Sequence, residues 1–421
     1  MEKEIKAIRG FWDILPEEMP TWRFVEEEAR RTLESFGFQE IRIPTLERAE
    51  LFVRSMGESS DVVQKEMYTF QDKSGQWVTL RPEATASIVR AYVEHRLWTK
   101  DPEARLYFIG PMFRYERPQK GRLRQFHQID AEVLGPDHPM VDAEIIMLLM
   151  ELLKRLGLKD LGLELNSLGC PGCRIPFKEE VQRFLRQNED KLCPDCQRRM
   201  ELNPLRVFDC KVPSCKELLK EAPLLEGFLC ETCKSHFEKV KEFLEEMKIP
   251  YQANRFLVRG LDYYTRTVFE VIAPGLGAQN AVAAGGRYDG LVKELGGPDI
   301  PGIGFAIGVE RLMLLIPRKE LDSPVKLFIA SLGEDPKKVA FRLGWELKKE
   351  GLSAWMEYED KSLKAQLRRA DKLSIPFVLI IGEDELKQKK LILRDMRKGT
   401  QQEIPLSEAI EKLKEIIPKS S

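Results

Sequence analysis

The sequence predicts an α+β core built on an antiparallel sheet, a helical cysteine-rich insertion, and a C-terminal α/β domain. Three observations carry this reading. Two strand-like runs, Arg105–Glu116 and Gln125–Leu134, flank a basic loop, Arg117–Arg124, as the arms of an antiparallel pair do. All 8 cysteines fall between Cys170 and Cys233, within charged helical runs that lack strand signals. From Val325 onward, short apolar runs alternate with helix-like stretches, the pattern of βαβ units. The expected segments are therefore 1–169 (core, first part), 170–247 (insertion), 248–324 (core, second part) and 325–421 (C-terminal domain).

Each element has a local reason. Trp22, Val25, Ala29, Leu33 and Phe36 recur at helical spacing, and Gly37 stops the helix. Gln39–Pro44 reads as a strand closed by proline, and Glu66–Gln71 with Trp77–Arg81 reads as a hairpin around Asp72–Gly75. A helix is expected over Asp142–Leu156, with Asp142 as its N-cap and Gly157 as its stop. Strand signals resume at Phe256, and Leu257–Glu270 reads as strand-like. Gly285-Gly286 reads as a turn presenting Arg287-Tyr288-Asp289, and a helix over Gly308–Ile316 stops at Pro317. In the last segment Leu327–Ser331, Ala354–Tyr358 and Phe377–Ile381 are strands. Leu391–Arg394 and Gln402–Ile404 form a pair, and Ser407–Ile417 is a closing helix.

At 421 residues the chain is too long for one ordinary core. Its 67 Lys and Arg balance 68 Asp and Glu, which excludes a general basic coat. Any nucleic-acid contact must come from local patches, and the C-terminal segment carries a mild basic excess. The opening residues Met1–Lys6 are charged, and the most apolar run, Ile145–Leu153, is short and broken by Glu151. The expectation is a cytoplasmic chain with no membrane span.

The cysteines form Cys170-x2-Cys173, Cys193-x2-Cys196, Cys210-x4-Cys215 and Cys230-x2-Cys233. Two thiolates on a tight turn hold one face of a tetrahedral Zn2+, so four pairs suffice for two sites. Reduced half-buried thiols and disulfides are the alternatives this spacing leaves open. Every cysteine lies outside the runs that carry chemistry.

Three such runs stand out. Leu257–Glu270 places Arg259 and Arg266 beside the adjacent Tyr263 and Tyr264, and Ala284–Gly290 adds a further Arg-Tyr-Asp. So dense a set of hydrogen-bonding side chains suits a pocket for a small, charged, planar ligand. In Phe113–Glu116, Arg114 and Glu116 alternate onto one expected strand face, and Arg122 follows on a glycine-containing loop. A guanidinium there neutralises a phosphate, while a carboxylate accepts from an amino group. In Gly302–Ile316 the pair Glu310-Arg311 interrupts an apolar passage, where a buried arginine needs a partner such as phosphate.

With Gly37–Glu47, the last two of these runs resemble the ordered motifs of class II aminoacyl-tRNA synthetases. Gly37–Glu47 is similar to motif 1, Phe113–Gln128 to motif 2 and Gly304–Leu315 to motif 3. Arg81-Pro-Glu-Ala-Thr85, Gln125–Glu132, Leu257–Glu270 and Ala284–Gly290 narrow the resemblance to histidyl-tRNA synthetases. It extends over essentially the whole chain, including Asn203–Val207 and Ala370–Lys372. Ala84 stands where many relatives carry glycine, a departure of detail. The resemblance implies a class II synthetase fold, a homodimer, and a C-terminal anticodon-binding domain. It also implies a reaction in which L-histidine and ATP, with Mg2+, give histidyl-adenylate and pyrophosphate before transfer to tRNA-His. A silent regulatory paralogue of this family characteristically loses active-site residues and the C-terminal domain, and both are present here.

The resemblance also assigns roles. Glu83 and Thr85 would hold the histidine α-amino group, and Gln128 and Arg259 its carboxylate. Glu132 and Tyr264 would bracket the imidazole, with Tyr263 and Tyr288 lining the pocket. Arg114 would meet the α-phosphate, Arg122 the γ-phosphate, and Arg311 the far side of a bent triphosphate. Glu116 would fix the adenine amino group, with Phe126 stacked on the ring. Arg259 and Arg114 are the expected catalytic residues, stabilising charge that builds on the α-phosphate. The cysteine-rich insertion is not universal in that family, so zinc at Cys170, Cys173, Cys193, Cys196, Cys210, Cys215, Cys230 and Cys233 rests on spacing alone.

Overall fold

A computed structural model describes residues 4–58, 60–276, 280–317 and 325–417. The chain divides into two units, Met1–Arg318 and Lys319–Ser421. The boundary expected at 324 lies in 318–324, outside the described residues.

The first unit begins with helix α1 (Met19–Ser35), which buries Trp22, Val25, Ala29 and Leu33 on one face. Gly37 then takes a positive φ of 82° and turns the chain into strand β1 (Gln39–Glu40). This strand is shorter than the Gln39–Pro44 run predicted. The Arg81 guanidinium takes the carbonyls of Ile43 (2.6 Å) and Pro44 (2.9 Å), so these acceptors serve a side chain rather than a strand ladder. Strand β2 (Leu46–Arg48), helix α2 (Ala49–Met56), β3 (Tyr68–Gln71) and β4 (Trp77–Leu80) follow, and β2-β4-β3 form a small antiparallel sheet. The β3–β4 turn is fixed by Asp72, whose Oδ1 accepts from the backbone N–H groups of Ser74 and Gln76. Helix α3 (Thr85–Glu94) leads into β5 (Ala104–Phe113) and β6 (Gln125–Leu134), the expected antiparallel pair.

Helix α4 (Pro139–Arg155) starts earlier than predicted. Its N-cap is His138, whose Nδ1 accepts from Met140 N, and Asp142 is not a cap. Asp142 is fully buried and pairs with Arg287 (2.7 Å) and His236 (2.8 Å). Strand β7 (Gly162–Ser167) was not anticipated. Next come helices α5 (Pro171–Gln187), α6 (Pro194–Leu202), α7 (Pro213–Leu219) and α8 (Glu231–Glu246), with no strand between them. The chain returns through β8 (Gln252–Ala253), β9 (Thr265–Ile272), β10 (Ala281–Arg287), helix α9 (Leu291–Glu294), β11 (Gly302–Gly308) and helix α10 (Val309–Met313).

Two expectations fail here. Residues 254–264 are irregular, and the strand begins only at Thr265. Gly285 and Gly286 lie within β10 and form no turn. A Cβ on Gly285 would sit 2.2 Å from the Gly304 carbonyl oxygen, so glycine serves close strand approach here.

The main sheet has eight strands in the order β1-β5-β6-β11-β10-β9-β7-β8. Only the two edge pairs, β1–β5 and β7–β8, are parallel. Along β6, Ile129, Ala131 and Val133 join the apolar layer made with α1 and α4, including Trp22, Leu33, Ile145 and Leu149. Strand alternation therefore sends Gln128, Asp130 and Glu132 to the opposite face.

The second unit carries β12 (Leu327–Leu332), helix α11 (Glu334–Lys349), β13 (Ala354–Met356), helix α12 (Leu363–Lys372), β14 (Phe377–Gly382), helix α13 (Glu383–Lys387), β15 (Lys390–Asp395), β16 (Gln401–Pro405) and helix α14 (Ala409–Ile416). Its sheet order is β13-β12-β14-β15-β16, parallel over the first three strands and antiparallel beyond. Leu327, Ile329, Leu343, Leu347, Leu379 and Ile381 fill its core.

Removing one member of a buried ion pair leaves a charge without compensation, at a cost of about 3–5 kcal/mol. Asp142→Ala is therefore expected to lower stability by the lower end of that range, about 3 kcal/mol, because His236 loses its carboxylate and Arg287 loses its shortest one while keeping Asp289 at 3.1 Å. Denaturant unfolding checks this, and a loss under about 1 kcal/mol would show that the network carries little.

Candidate active site

On the face of the main sheet opposite α1 and α4 lies a cavity of about 610 Å³, in the size range of ligand pockets. Its wall includes Glu83, Thr85, Arg114, Glu116, Arg122, Phe126, Gln128, Glu132, Arg259, Tyr263, Tyr264, Tyr288 and Arg311. Every residue expected from sequence to meet histidine or ATP thus lines one cavity, although the residues come from five separate stretches of chain.

One end is built on buried carboxylates. Glu83 accepts from the Thr85 and Ala86 backbone N–H groups, each at 2.9 Å, where α3 begins. Such orphan donors favour an anion. Glu132 accepts from Thr85 Oγ1 at 2.6 Å and from Tyr288 Oη at 2.7 Å. Tyr263 Oη reaches Glu83 at 3.3 Å. The three tyrosine rings pack together, Tyr263 against Tyr264 at 4.7 Å and against Tyr288 at 5.9 Å. Opposite Glu132, a Cβ on Gly304 would lie 1.7 Å from Oε2, so only glycine leaves room for this carboxylate. Burial pushes the Glu132 carboxyl up to about 8, against the pull of its Thr85 and Tyr288 hydrogen bonds. Burial likewise raises Glu83 and raises Asp130 well above the ordinary range.

The other end is cationic. Arg114 donates to the Pro82 carbonyl at 2.8 Å and lies 5.4 Å from the centroid of the Phe126 ring. Contrary to expectation, Arg114 and Glu116 do not share a strand face. Strand β5 ends at Phe113, and Arg114 N bonds to Arg124 O across the mouth of the loop. Glu116 instead pairs with Arg122. Arg311 donates to the Ala281 carbonyl, and burial together with nearby Arg122 lowers its pKa. Its neighbour Glu310 turns to His127, accepting from the backbone N–H and meeting Nδ1 at 2.9 Å.

Arg259 is paired with Glu270 and lies 5.5 Å from the Tyr264 ring centroid. Its Nε is buried without a partner, as is the Oε1 of Gln128. Buried polar groups in this condition are rare and call for a ligand or water. Of the Arg287-Tyr288-Asp289 set only Tyr288 reaches the cavity, because Arg287 is committed to Asp142.

The sequence reading missed Asp130, Glu270, Arg206, Asp209 and Lys211, which also line the cavity. Asp130 and Glu270 were within reach, since Asp130 is two residues from both Gln128 and Glu132, and Glu270 ends the run already singled out. The other three come from the cysteine-rich segment, and nothing local in that stretch says that it returns to the cavity.

The cysteines form two groups, Cys170, Cys173, Cys230, Cys233 and Cys193, Cys196, Cys210, Cys215, with the sulfurs of each group within 4.8 Å of one another. All eight are free thiols. Tetrahedral zinc with Zn–S bonds of about 2.3 Å sets neighbouring sulfurs about 3.8 Å apart. Cys193 and Cys210 are 3.8 Å apart, and Cys170 and Cys173 are 3.6 Å apart, so both sets fit.

A large antiparallel-rich sheet carrying these motifs on one face is the fold of the class II aminoacyl-tRNA synthetases. The histidyl-tRNA synthetase family model matches residues 10–170 and 209–312, and an anticodon binding domain model matches 326–416. A histidine–tRNA ligase of Geobacter metallireducens is 52% identical over 402 residues, covering 96% of this chain and 97% of its own. One from Pelobacter propionicus is 54% identical over 402 residues, with the same coverage. The crystal structure of apo S. aureus histidyl-tRNA synthetase superposes with a TM-score of 0.81 at 36% identity, covering 97% of this chain and 99% of the other. The chain belongs to the histidyl-tRNA synthetase family.

The raised Glu132 carboxyl links stability to pH. Between an ordinary glutamate value of 4.5 and about 8, the folded chain holds a proton that the unfolded chain has lost. Stability therefore falls as pH rises through that window and levels off above it. Glu132→Gln is expected to make the fall in thermal midpoint between pH 5 and 8 shallower. The slope left over belongs to the other carboxyls that burial raises, Glu83, Asp130, Asp209 and Asp289 among them. Identical slopes in the two proteins would contradict the assignment.

Proposed function

We propose that this chain activates L-histidine with ATP and transfers it to tRNA-His through the cavity described above. What carries the reading is convergence: residues chosen for separate roles, from distant segments, meet in one cavity graded from carboxylates to guanidinia.

Strand β6 sets the scale. Phe126, Gln128, Asp130 and Glu132 share its inward face, a span of about 20 Å from first to last. That length suits an aminoacyl-adenylate lying along the strand. Glu132 and Tyr264 take the imidazole, whose two nitrogens differ in donor and acceptor character. A site that bonds both rejects side chains lacking them. Glu83 and Thr85 hold the α-amino group, and Tyr263 and Tyr288 close the walls. Gln128 and Arg259 take the carboxylate. Arg114, Arg122 and Arg311 receive the triphosphate of MgATP, with Phe126 and Glu116 at the adenine.

The histidine carboxylate is already ionised at neutral pH, so its attack on the α-phosphate needs no general base. Charge builds on the phosphate oxygens as pyrophosphate departs. Arg259, held in place by Glu270, and Arg114, held by the Pro82 carbonyl, are fixed cations for that charge. The basic loop Arg117–Arg124 approaches the acceptor end of the tRNA, with salt-sensitive affinity. The chain acts as a homodimer, with Gly37–Glu47 at the subunit interface, and works in the cytoplasm. Among the described residues no helix is long and apolar enough to cross a membrane.

Histidine-dependent ATP–pyrophosphate exchange tests this directly. Exchange with histidine and with no other amino acid is the expected result. Its absence from folded protein with Mg2+ would reject the reading in favour of a silent regulatory relative. Arg259→Ala should lose about 10²–10³-fold in exchange at an unchanged thermal midpoint, and a variant near wild-type activity removes the catalytic assignment.

Each cysteine tetrad would hold one Zn2+, which when bound supplies a structural cross-link rather than reaction chemistry. Elemental analysis of protein purified without chelator should find two zinc ions per chain, falling to one in Cys196→Ser. Finding none in the wild type rejects the assignment.

A further inference from the structure

The loop 254–264 carries Arg259, Tyr263 and Tyr264, yet it is irregular and has few internal hydrogen bonds to hold it. A half-buried loop of that kind must find partners for its inward carbonyls elsewhere. Asn166 on β7 donates to the Leu257 carbonyl at 2.9 Å, and the cysteine-rich segment takes those around the three functional side chains.

Arg174 follows Cys173 on α5 and donates to the Tyr264 carbonyl at 2.6 Å and the Asp262 carbonyl at 3.3 Å. Arg206 lies on the chain between Cys196 and Cys210, is 8% exposed, and donates to the Arg259 carbonyl at 3.4 Å. The same guanidinium pairs with Asp61 at 3.1 Å and Asp209 at 3.5 Å. Burial alone would raise Asp61, but Arg199 and Arg206 hold its carboxyl below the ordinary range. Asn203 Nδ2 donates to Asp262 Oδ1 at 3.0 Å. Packing is tight on both sides of the loop: a Cβ on Gly260 would come 3.1 Å from Arg206 Nη1, and one on Gly57 would come 2.4 Å from Asp262 Oδ2.

We propose that Arg174 and Arg206 are positioning residues for histidine activation, fixing from the cysteine-rich segment the backbone that aims Arg259, Tyr263 and Tyr264. This rests on the functional reading above and adds residues to it. Each guanidinium has the planar fork needed to hold several acceptors at once, which a lysine lacks. The effect is selective. The loop bears on the histidine end of the cavity, whereas Arg114, Glu116, Arg122 and Phe126 stand on β5, β6 and the loop joining them.

The test is steady-state exchange on full-length Arg174→Ala, Arg206→Ala and Arg206→Lys, alongside wild type, with zinc content and thermal midpoint measured on each. Loss of charged hydrogen bonds to the loop predicts a histidine KM raised about 10- to 100-fold and a lowered kcat. The KM for ATP and the zinc content should stay at wild-type values. Arg206→Lys should recover part of the loss, since it keeps the charge facing Asp61. A plain structural brace would instead lower the thermal midpoint and the active fraction while leaving the histidine KM untouched, and that result overturns the proposal. Should Arg206→Ala fail to fold, Arg174→Ala and Arg206→Lys decide by the same criterion. Wild type without histidine-dependent exchange would remove the functional reading itself, whereas active wild type with an unshifted KM in the variants removes only the positioning role.

Discussion

Burying Glu132 is the constraint around which the first unit is arranged. A carboxylate out of water is tolerated only when its oxygens are bonded or it takes up a proton. Thr85 and Tyr288 serve the two oxygens from opposite sides, one at the start of α3 and the other just past β10. Those donors fix where α3 docks and how β10 ends. The same carboxylate forbids any side chain at Gly304, so β11 must run past it bare. Gly285 in turn must yield to the Gly304 carbonyl. One polar group thus dictates the approach of three adjacent strands.

Much of this was legible in the sequence, because both the fold and the cavity are written in local patterns. Two strand-like runs around a basic loop gave β5 and β6, helical spacing gave α1, and the order of strands and helices gave the second unit. The errors share a cause. Asp142 has the composition of a cap, but a buried Arg287 claims it, and Arg287 is 145 residues distant. Gly285-Gly286 has the composition of a turn, but sterics from a neighbouring strand demand glycine there. The Gln39–Pro44 run has the composition of a strand, but Arg81 takes its carbonyls. In each case a tertiary partner outweighed local propensity.

The site divides in the same way. Residues inside contiguous motifs were found, including Glu83, Gln128, Tyr264 and Arg311. Residues delivered to the cavity by the cysteine-rich segment were not. Arg206, Asp209 and Lys211 belong to a stretch whose strongest signal is its cysteines, and only folding shows that the chain between two thiol pairs reaches back to the ligand cavity. The family model likewise leaves 171–208 unmatched, so Arg174 and Arg206 fall outside it while holding a loop inside it.

The pairing of the cysteine groups is nested, outer pair with outer and inner with inner. Cys193 and Cys210 are separated by 17 positions, whereas Cys173 and Cys230 are separated by 57. Closing a loop costs entropy that grows with the logarithm of its length, so the inner closure is cheaper by about 1 kcal/mol. Once made, it shortens the free chain that the outer closure must gather. Were metal held at both tetrads, this lower closure cost would favour assembly through the inner tetrad first. On a nascent chain all four inner cysteines would also leave the ribosome before Cys230 and Cys233.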